Sequence, residues 1–132
     1  MAQNKTNTKA PAGSKVAVLG ASTKPDRFSF KAVRMLKEHG FKPIPVHPAG
    51  HTVDGVAGVK SLEDITDSID TLTMYVNADI SSKQSEIILK LNPRRVIFNP
   101  GAENEELAEI LKGAGIETIN HCTLVMLHEG LY

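Results

Sequence analysis

The chain has 132 residues, of which 41% are apolar and 23% charged, and its formal net charge at pH 7 is zero. This length and composition indicate one globular domain with one core, and they exclude a disordered, collagen-like or membrane-embedded chain. Zero net charge gives no field that would attract nucleic acid or anionic lipid, so we expect neither as a partner. The lone cysteine, Cys122, cannot form an internal disulfide, and no apolar run reaches the length of a membrane span, which predicts a cytoplasmic protein.

Residues 1–14 differ in character from the rest of the chain. They lack the apolar segment that a secretory signal contains. Their polar composition predicts a disordered tail that contributes nothing to the core. We therefore expect the folded domain to span residues 15–132.

The first half of this domain alternates strand and helix patterns. Residues 16–19 form a continuously apolar run before a glycine, which is typical of a strand buried on both faces. Residues 29–39 place apolar side chains near helical spacing, with Ser29 as the expected N-cap and Gly40 as the stop. A second strand is predicted at 42–46 and, because it contains two prolines, in an outer position of the sheet.

The second half continues the alternation. We predict a short edge strand within 53–59, a helical turn at 61–65, strands at 71–76, 95–98 and 116–119, and helices at 79–91, 103–112 and 123–131. Strands that alternate with helices imply right-handed crossovers and a parallel sheet covered on both faces. The predicted fold is an α/β, three-layer, doubly wound parallel sheet of the Rossmann-like kind. It has about five main strands, with the 16–19 strand at the centre.

Candidate ligand contacts follow from this fold. Ligands of open parallel sheets bind beyond the carboxyl ends of the strands, near the point where strand order reverses. The first turn could cradle a phosphate with backbone N–H groups and the N-terminus of the following helix. The segments at the five strand ends are Gly20-Ala21-Ser22, His47-Pro48, Val76-Asn77, Asn99-Pro100-Gly101 and Asn120-His121-Cys122.

The residue types at two of these ends bear on which nucleotide fits. Ser22 and Pro25 replace the second and third glycines of the dinucleotide fingerprint G-x-G-x-x-G. His47-Pro48 stands where an Asp or Glu usually grips the ribose of NAD, so NAD is disfavoured. A nucleotide with an extra ribose phosphate, NADP or coenzyme A, would instead suit the positive donors near the first turn and the end of the second strand. These donors are Lys24, Arg27, Lys31, His47 and His51.

Several segments together resemble the small CoA-binding domain proteins. They are VAVLGAS at 16–22, the Arg27-x-Ser29 that follows, IPVHP at 44–48, SLEDI at 61–65 and the terminal Cys122. That family is similar to the N-terminal domain of the succinyl-CoA synthetase α subunit, and the resemblance covers about 15–131.

The resemblance implies roles for individual residues. Gly20, Ala21 and Ser22 would take the pyrophosphate of CoA or an acyl-CoA, Arg27 and Ser29 would assist, and His47-Pro48 would lie against the adenosine end. Two segments depart from the family pattern: Asn99-Pro100-Gly101 replaces a Gln-Leu-Gly or Gln-Pro-Gly, and Asn120-His121-Cys122 replaces an Asp-Arg-Cys. The candidate binding residues are Gly20, Ala21, Ser22, Lys24, Arg27, Ser29, His47, Pro48, Asn77, Pro100, Gly101 and Cys122.

The sequence leaves three possible functions open. The first is a non-catalytic or accessory module that binds CoA or an acyl-CoA. The second is a small enzyme acting on CoA thioesters through Cys122 or His121, although neighbours on a strand point to opposite faces and a buried structural cysteine is the commoner outcome. The third is an NADP-binding sensor or regulatory domain. Whether a protein partner or a homo-oligomer is involved is left open.

A metal site is not expected. His47 and His51 have the spacing of a helical metal pair, but Pro48 and Gly50 between them exclude a helix. We therefore expect a small-molecule nucleotide as the ligand and no metal cofactor.

Overall fold

The computed structural model describes residues 9–132. The predicted tail thus lies mostly outside the described residues. At its described end, the amide of Ala10 donates to the carbonyl oxygen of Tyr132 at 2.7 Å, and Ala10 packs against a core cluster. The domain boundary at residue 15 stays a prediction.

Parallel strands and helices alternate along this part of the chain. The strands are β1 Lys15–Leu19, β2 Lys42–Val46, β3 Thr71–Met74, β4 Arg95–Phe98 and β5 Glu117–Asn120. The α-helices are α1 Phe28–Glu38, α2 Ala78–Ser82, α3 Ser85–Leu91, α4 Glu105–Gly113 and α5 Thr123–Glu129, and a 3₁₀ turn covers Leu62–Asp64. The strand order is β2-β1-β3-β4-β5, and every neighbouring pair is parallel. This confirms the Rossmann-like doubly wound fold.

The position of β2 at an edge of the sheet is confirmed. The amide of Lys42 donates to the carbonyl of Ser14, toward β1. Because amides alternate in direction along a strand, the nitrogen atoms of Pro43 and Pro45 face away from β1, where no ladder hydrogen bond is lost. The short edge strand predicted within 53–59 is wrong: only isolated bridges form there, Val46 with Val59 and Val53 with Val56.

The prediction that the 16–19 strand is central is also wrong, because β3 occupies the centre and β1 lies between β2 and β3. The chain passes from β2 across β1 to β3, so strand order reverses between β1 and β3. Leu19 pairs with Val46 on one side and with Met74 on the other. The carboxyl ends of three strands therefore meet at one level, beside the switch point.

Two core clusters cover the two faces of the sheet. Alternate residues of β1 point to opposite faces: Ala17 and Leu19 join one cluster, and Val16 and Val18 join the other. The first cluster contains side chains of α3 and α4, among them Ile88, Leu107 and Leu111. The second contains side chains of α1 and α5, among them Phe30, Leu36, Met126 and Leu127. This is the predicted three-layer arrangement.

The helix predicted at 79–91 is two helices. Asn77 caps the first of them, and its side chain accepts a hydrogen bond from the amide of Ile80 at 3.0 Å. The side-chain nitrogen of Asn104 donates to the hydroxyls of Ser81 and Ser82 at 2.8 and 2.9 Å. These bonds hold the end of α2 against the start of α4, and α3 begins separately.

The starts of two other helices also differ from the prediction. The N-cap of α1 lies two residues earlier than predicted, at Arg27 rather than Ser29. α4 begins after Asn104, whose side-chain oxygen accepts from the amide of Leu107 at 3.0 Å. Among residues 9–132, no helix is long and apolar enough to span a membrane.

Candidate functional site

A cavity of about 620 Å³ lies beyond the carboxyl ends of β1, β2 and β3. We call it the switch-point crevice, because it opens where strand order reverses. Of the residues predicted from the sequence, Gly20, His47, Pro48 and Asn77 line it. The structure thus brings together the ends of three strands that are distant in sequence.

Other residues of the crevice were not predicted from the sequence. Lys60 and Ser61 line it from the segment before the 3₁₀ turn, Ile80 lines it from α2, and Gln84 lines it from the N-cap of α3. The side chain of Ser61 accepts from the amide of Glu63 at 3.1 Å, as the helical turn predicted at 61–65 requires. That capping motif predicts the helical turn but not its position beside the crevice.

The turn after β1 is hydrogen-bonded to the end of β2. The amides of Gly20 and Ala21 donate to the carbonyl oxygen of Val46 at 2.9 and 3.3 Å. Gly20 has a φ of 91°, and a Cβ there would lie 2.9 Å from a methyl carbon of Val76. A glycine is therefore required by the turn and by its contact with the segment after β3. Phosphate binding by these two amides stays a prediction, since both already have an acceptor.

The next residues of the turn are bonded to one another. The amide of Ser22 donates to the Oγ of Ser29 at 3.0 Å, and the amide of Lys24 donates to the Oγ of Ser22 at 3.0 Å. Ser29 is buried, so its hydroxyl serves as an internal anchor for the turn. These bonds preform the path of the chain into α1.

The N-terminus of α1 is open. Among residues 9–132, no acceptor receives the amides of Phe28, Ser29 and Phe30. The first turn of the helix contains no acidic residue, and the charged side chains exposed just before it are two cations and one carboxylate, Lys24, Arg27 and Asp26. Unpaired amides, the positive end of the helix dipole and two cations together form a site suited to an anion.

His47 and His51 stack at the other side of the turn, with ring centroids 4.4 Å apart. The amide of Ala49 donates to Nδ1 of His47 at 3.0 Å, and Nε2 of His51 donates to the carbonyl of Ala21 at 3.1 Å. Burial, together with the neighbouring His51, holds the pKa of His47 below its ordinary value. His47 is therefore a neutral ring at pH 7, although the sequence suggested a positive donor.

Asn99 lies beyond the crevice, at the end of β4, and is buried. Its side-chain nitrogen donates to Oγ1 of Thr73 and to the carbonyl of Met74, and its side-chain oxygen accepts from the amide of Thr123. These bonds connect β3, β4 and the start of α5. Asn99 therefore has a structural role, while Pro100 and Gly101 are exposed after it and do not line the crevice.

Cys122 is half-buried at the N-cap of α5. Its amide donates to Nδ1 of His121 at 2.8 Å. The buried hydroxyl of Tyr75 has no hydrogen-bond partner among the described residues, although the hydroxyls of Thr73 and Thr123 lie near it. Burial and the nearby Cys122 raise the pKa of Tyr75 well above its ordinary value. Because Tyr75 also lines the crevice, it connects the crevice with the region of Cys122.

A second cavity, of about 700 Å³, lies at the opposite ends of the strands, near the amino ends of β1, β3 and β4. Its two cations are already paired: Lys15 contacts Asp67 at 3.0 Å, and Arg94 contacts Asp70 at 2.7 Å. Ligands of doubly wound sheets bind at the carboxyl edge. The switch-point crevice is therefore the better candidate site.

A doubly wound parallel sheet with a crevice at its switch point and an open helix N-terminus beside it is the arrangement found in many nucleotide-binding domains. A family model described as CoA binding domain matches residues 14–128, and the chain belongs to this family. This finding confirms the resemblance that the sequence segments indicated.

The chain is also similar to individual proteins over most of its length. The chain is 28% identical over 114 residues to the uncharacterized protein YneT of Bacillus subtilis, which covers 86% of this chain and 84% of that protein. A crystal structure of an uncharacterized protein is 41% identical, with a TM-score of 0.87 over 92% of this chain and 100% of the other. The cell-free ID.343 structure from Thermus thermophilus is 30% identical, with a TM-score of 0.83 over 91% of both chains.

Proposed function

We propose that this protein binds coenzyme A or an acyl-CoA as a binding module with no catalytic step of its own. One observation carries the proposal: Gly20 lines the switch-point crevice and is also the first residue of the turn that leads to the open N-terminus of α1. A cavity and an anion site at the two ends of one turn suit a ligand that has an adenosine at one end and a pyrophosphate next to it.

The pyrophosphate would bind at the start of α1. The unpaired amides of residues 28–30 would donate to its oxygens, and the side chains of Lys24 and Arg27 would add charge-assisted hydrogen bonds. The hydroxyl of Ser22 lies in the same turn. In this arrangement the amides of Gly20 and Ala21 shape the turn through Val46 and need not touch the ligand.

The adenosine would occupy the switch-point crevice. Apolar side chains of Val46, Val76 and Ile80 line it, and the neutral ring of His47 offers a polar edge. No carboxylate is among the described residues that line the crevice, so the acidic group that usually grips the ribose of NAD is missing. This supports coenzyme A over NAD.

The pantetheine arm would leave the pyrophosphate and cross the strand ends. Pro100 and Gly101, at the end of β4, and Cys122, before α5, lie along that edge of the sheet. The position of Tyr75 between the crevice and Cys122 supports this course. We propose that the thiol end of the ligand reaches Cys122.

The enzymatic alternative receives less support from the geometry. Nδ1 of His121 accepts the amide of Cys122, and no contact of its ring with the Cys122 thiol is found among the described residues. A nucleophile needs its base within hydrogen-bond reach. Turnover of acetyl-CoA by the wild type, lost in Cys122→Ser, would establish the enzymatic function instead.

Calorimetric titration with CoA, acetyl-CoA, succinyl-CoA, NAD and NADP tests the proposal. We expect saturable binding of CoA, with NAD at least about tenfold weaker because the ribose clamp is missing. NADP carries an extra ribose phosphate and is the informative competitor. NAD or NADP binding as tightly as CoA, or no binding of CoA, would overturn the proposal.

A further inference from the structure

Lys60 is the one lysine, and there is no arginine, aspartate or glutamate, among the described residues that line the switch-point crevice. Within residues 9–132 its ammonium group makes no hydrogen bond and no ion pair. The acidic residues nearest to Lys60 in sequence are Glu63 and Asp64, on the 3₁₀ turn. Neither of them forms an ion pair with Lys60. The crevice thus has an available cation and no competing carboxylate in its lining.

The backbone next to Lys60 is fixed to the end of β2. The amide of Val59 donates to the carbonyl of Pro45 at 2.9 Å, and the amide of His47 donates back to the carbonyl of Val59 at 3.0 Å. These two bonds place Lys60 directly beside the His47-Pro48 end of the strand. Its position is therefore set by the sheet rather than by a free loop.

The side chain of Lys60 lies along Gly50. A Cβ at Gly50, whose φ is +63°, would stand 2.8 Å from Cγ of Lys60, 3.5 Å from Cε and 3.7 Å from Cδ. The amide of Gly50 in turn donates to the carbonyl of His47 at 2.7 Å. The aliphatic stem thus rests on the turn after β2, while the ammonium group remains exposed.

We infer that Lys60 recognises a phosphomonoester on the ribose of the bound nucleotide, the 3′-phosphate in coenzyme A; this rests on the proposed function. In doubly wound domains the ribose lies beside the end of the second strand, where Lys60 is held. A phosphomonoester carries about 1.5 to 2 negative charges at pH 7, and lysine binds phosphate as a compact point charge. His47, a neutral ring, does not supply that charge.

The test compares CoA with 3′-dephospho-CoA by calorimetry, in the wild type, Lys60→Gln and Lys60→Arg. We expect the wild type to bind CoA about tenfold more tightly than 3′-dephospho-CoA, as for a partly exposed charge-assisted contact. Lys60→Gln should bind the two ligands about equally, and Lys60→Arg should keep most of the preference. The preference should weaken as salt rises, because the contact is exposed.

Lys42→Gln is the matched control. Lys42 is also an exposed lysine, but it lies at the opposite end of β2, where it pairs in register with Lys15. We expect this variant to keep the wild-type preference, and circular dichroism should show all three variants folded as the wild type is.

The same experiment distinguishes the role of Lys60 from the binding of CoA itself. If the wild type binds CoA but does not prefer it over 3′-dephospho-CoA, or if Lys60→Gln keeps the preference, the role of Lys60 is overturned and CoA binding stands. If the wild type binds neither ligand, the proposed function itself is overturned, and the role of Lys60 with it.

Discussion

The amide of Gly20 donates to the carbonyl oxygen of Val46 at 2.9 Å, joining the turn after β1 to the end of β2. The amide of Ala21 donates to the same oxygen. The turn is therefore held in shape before any ligand arrives. Such preorganisation lowers the cost of ordering a site on binding.

Replacing Gly20 by alanine should destabilise the fold. A residue other than glycine is strained at a φ of 91°, and its Cβ would lie 2.9 Å from Val76 and 3.1 Å from the carbonyl oxygen of Tyr75. We expect the free energy of unfolding to fall by about 2–5 kcal/mol, the sum expected for left-handed strain and overpacking. Urea unfolding measures this change.

Gly113→Ala is the control for that variant. Gly113 ends α4, and a Cβ there would meet no atom within 4 Å. Alanine at a compatible helical position is neutral or stabilises by up to about 1 kcal/mol. Equal stability of Gly20→Ala and Gly113→Ala would contradict the packing role of Gly20.

Arg27→Ala should weaken CoA binding without affecting the fold. Arg27 is exposed at the N-cap of α1 and has no side-chain capping bond. We expect an affinity loss of roughly ten- to a hundredfold, the range for a charge-assisted hydrogen bond to phosphate. Calorimetry at moderate salt measures it, with Lys112→Ala, an exposed cation on α4, as the control. An unchanged affinity would assign Arg27 to the solvated surface.

The stability of the protein should depend on His47 as the pH falls. Its pKa in the folded state lies below the ordinary value, first because of burial and then because of His51. The unfolded chain therefore binds a proton more readily, and stability decreases as the pH falls below about 6.5, the ordinary histidine value, toward the lowered pKa. Urea unfolding at pH 7.5, 6.5 and 5.5 should show a smaller decrease in His47→Gln. An identical pH profile for both proteins would refute this.

Cys122 should form a mixed disulfide with coenzyme A. Its thiolate would attack the S–S bond of the CoA disulfide, a Cys122–CoA disulfide would form, and one CoA thiolate would leave. Mass spectrometry of the native protein after incubation with CoA disulfide should show an adduct of the CoA mass, absent from Cys122→Ser. No adduct, together with resistance to a small alkylating reagent, would leave Cys122 as a packing residue.

The sequence predicts the strands well, because their patterns are local. The apolar run at 16–19 and the two prolines of β2 each carry a physical meaning that the sheet confirms. The order of the strands in the sheet could not be predicted in the same way. Whether β1 or β3 is central depends on which side of β1 the chain crosses after β2, and no local pattern encodes that choice.

The candidate site is only partly visible in the sequence. The predicted strand ends indicate Gly20, His47 and Asn77 as residues of the site. Lys60 follows an irregular segment, and its side chain packs on Gly50 at the crevice, a tertiary contact that no local pattern predicts. The break between α2 and α3 was missed because Ile80, Ile87 and Ile88 keep helical spacing across it. The bonds of Asn104 to α2, which connect residues more than twenty positions apart, are tertiary.

The most direct test of coenzyme A binding at the switch-point crevice and the start of α1 is an NMR titration of the ¹⁵N-labelled protein with coenzyme A. We expect saturable shifts of the amides of residues 28–30, at the start of α1, together with those of Asn77 and Lys60 around the crevice. Absence of shifts at saturating CoA would contradict this expectation. So would shifts confined to the opposite cavity, around residues 13–15 and 92–94.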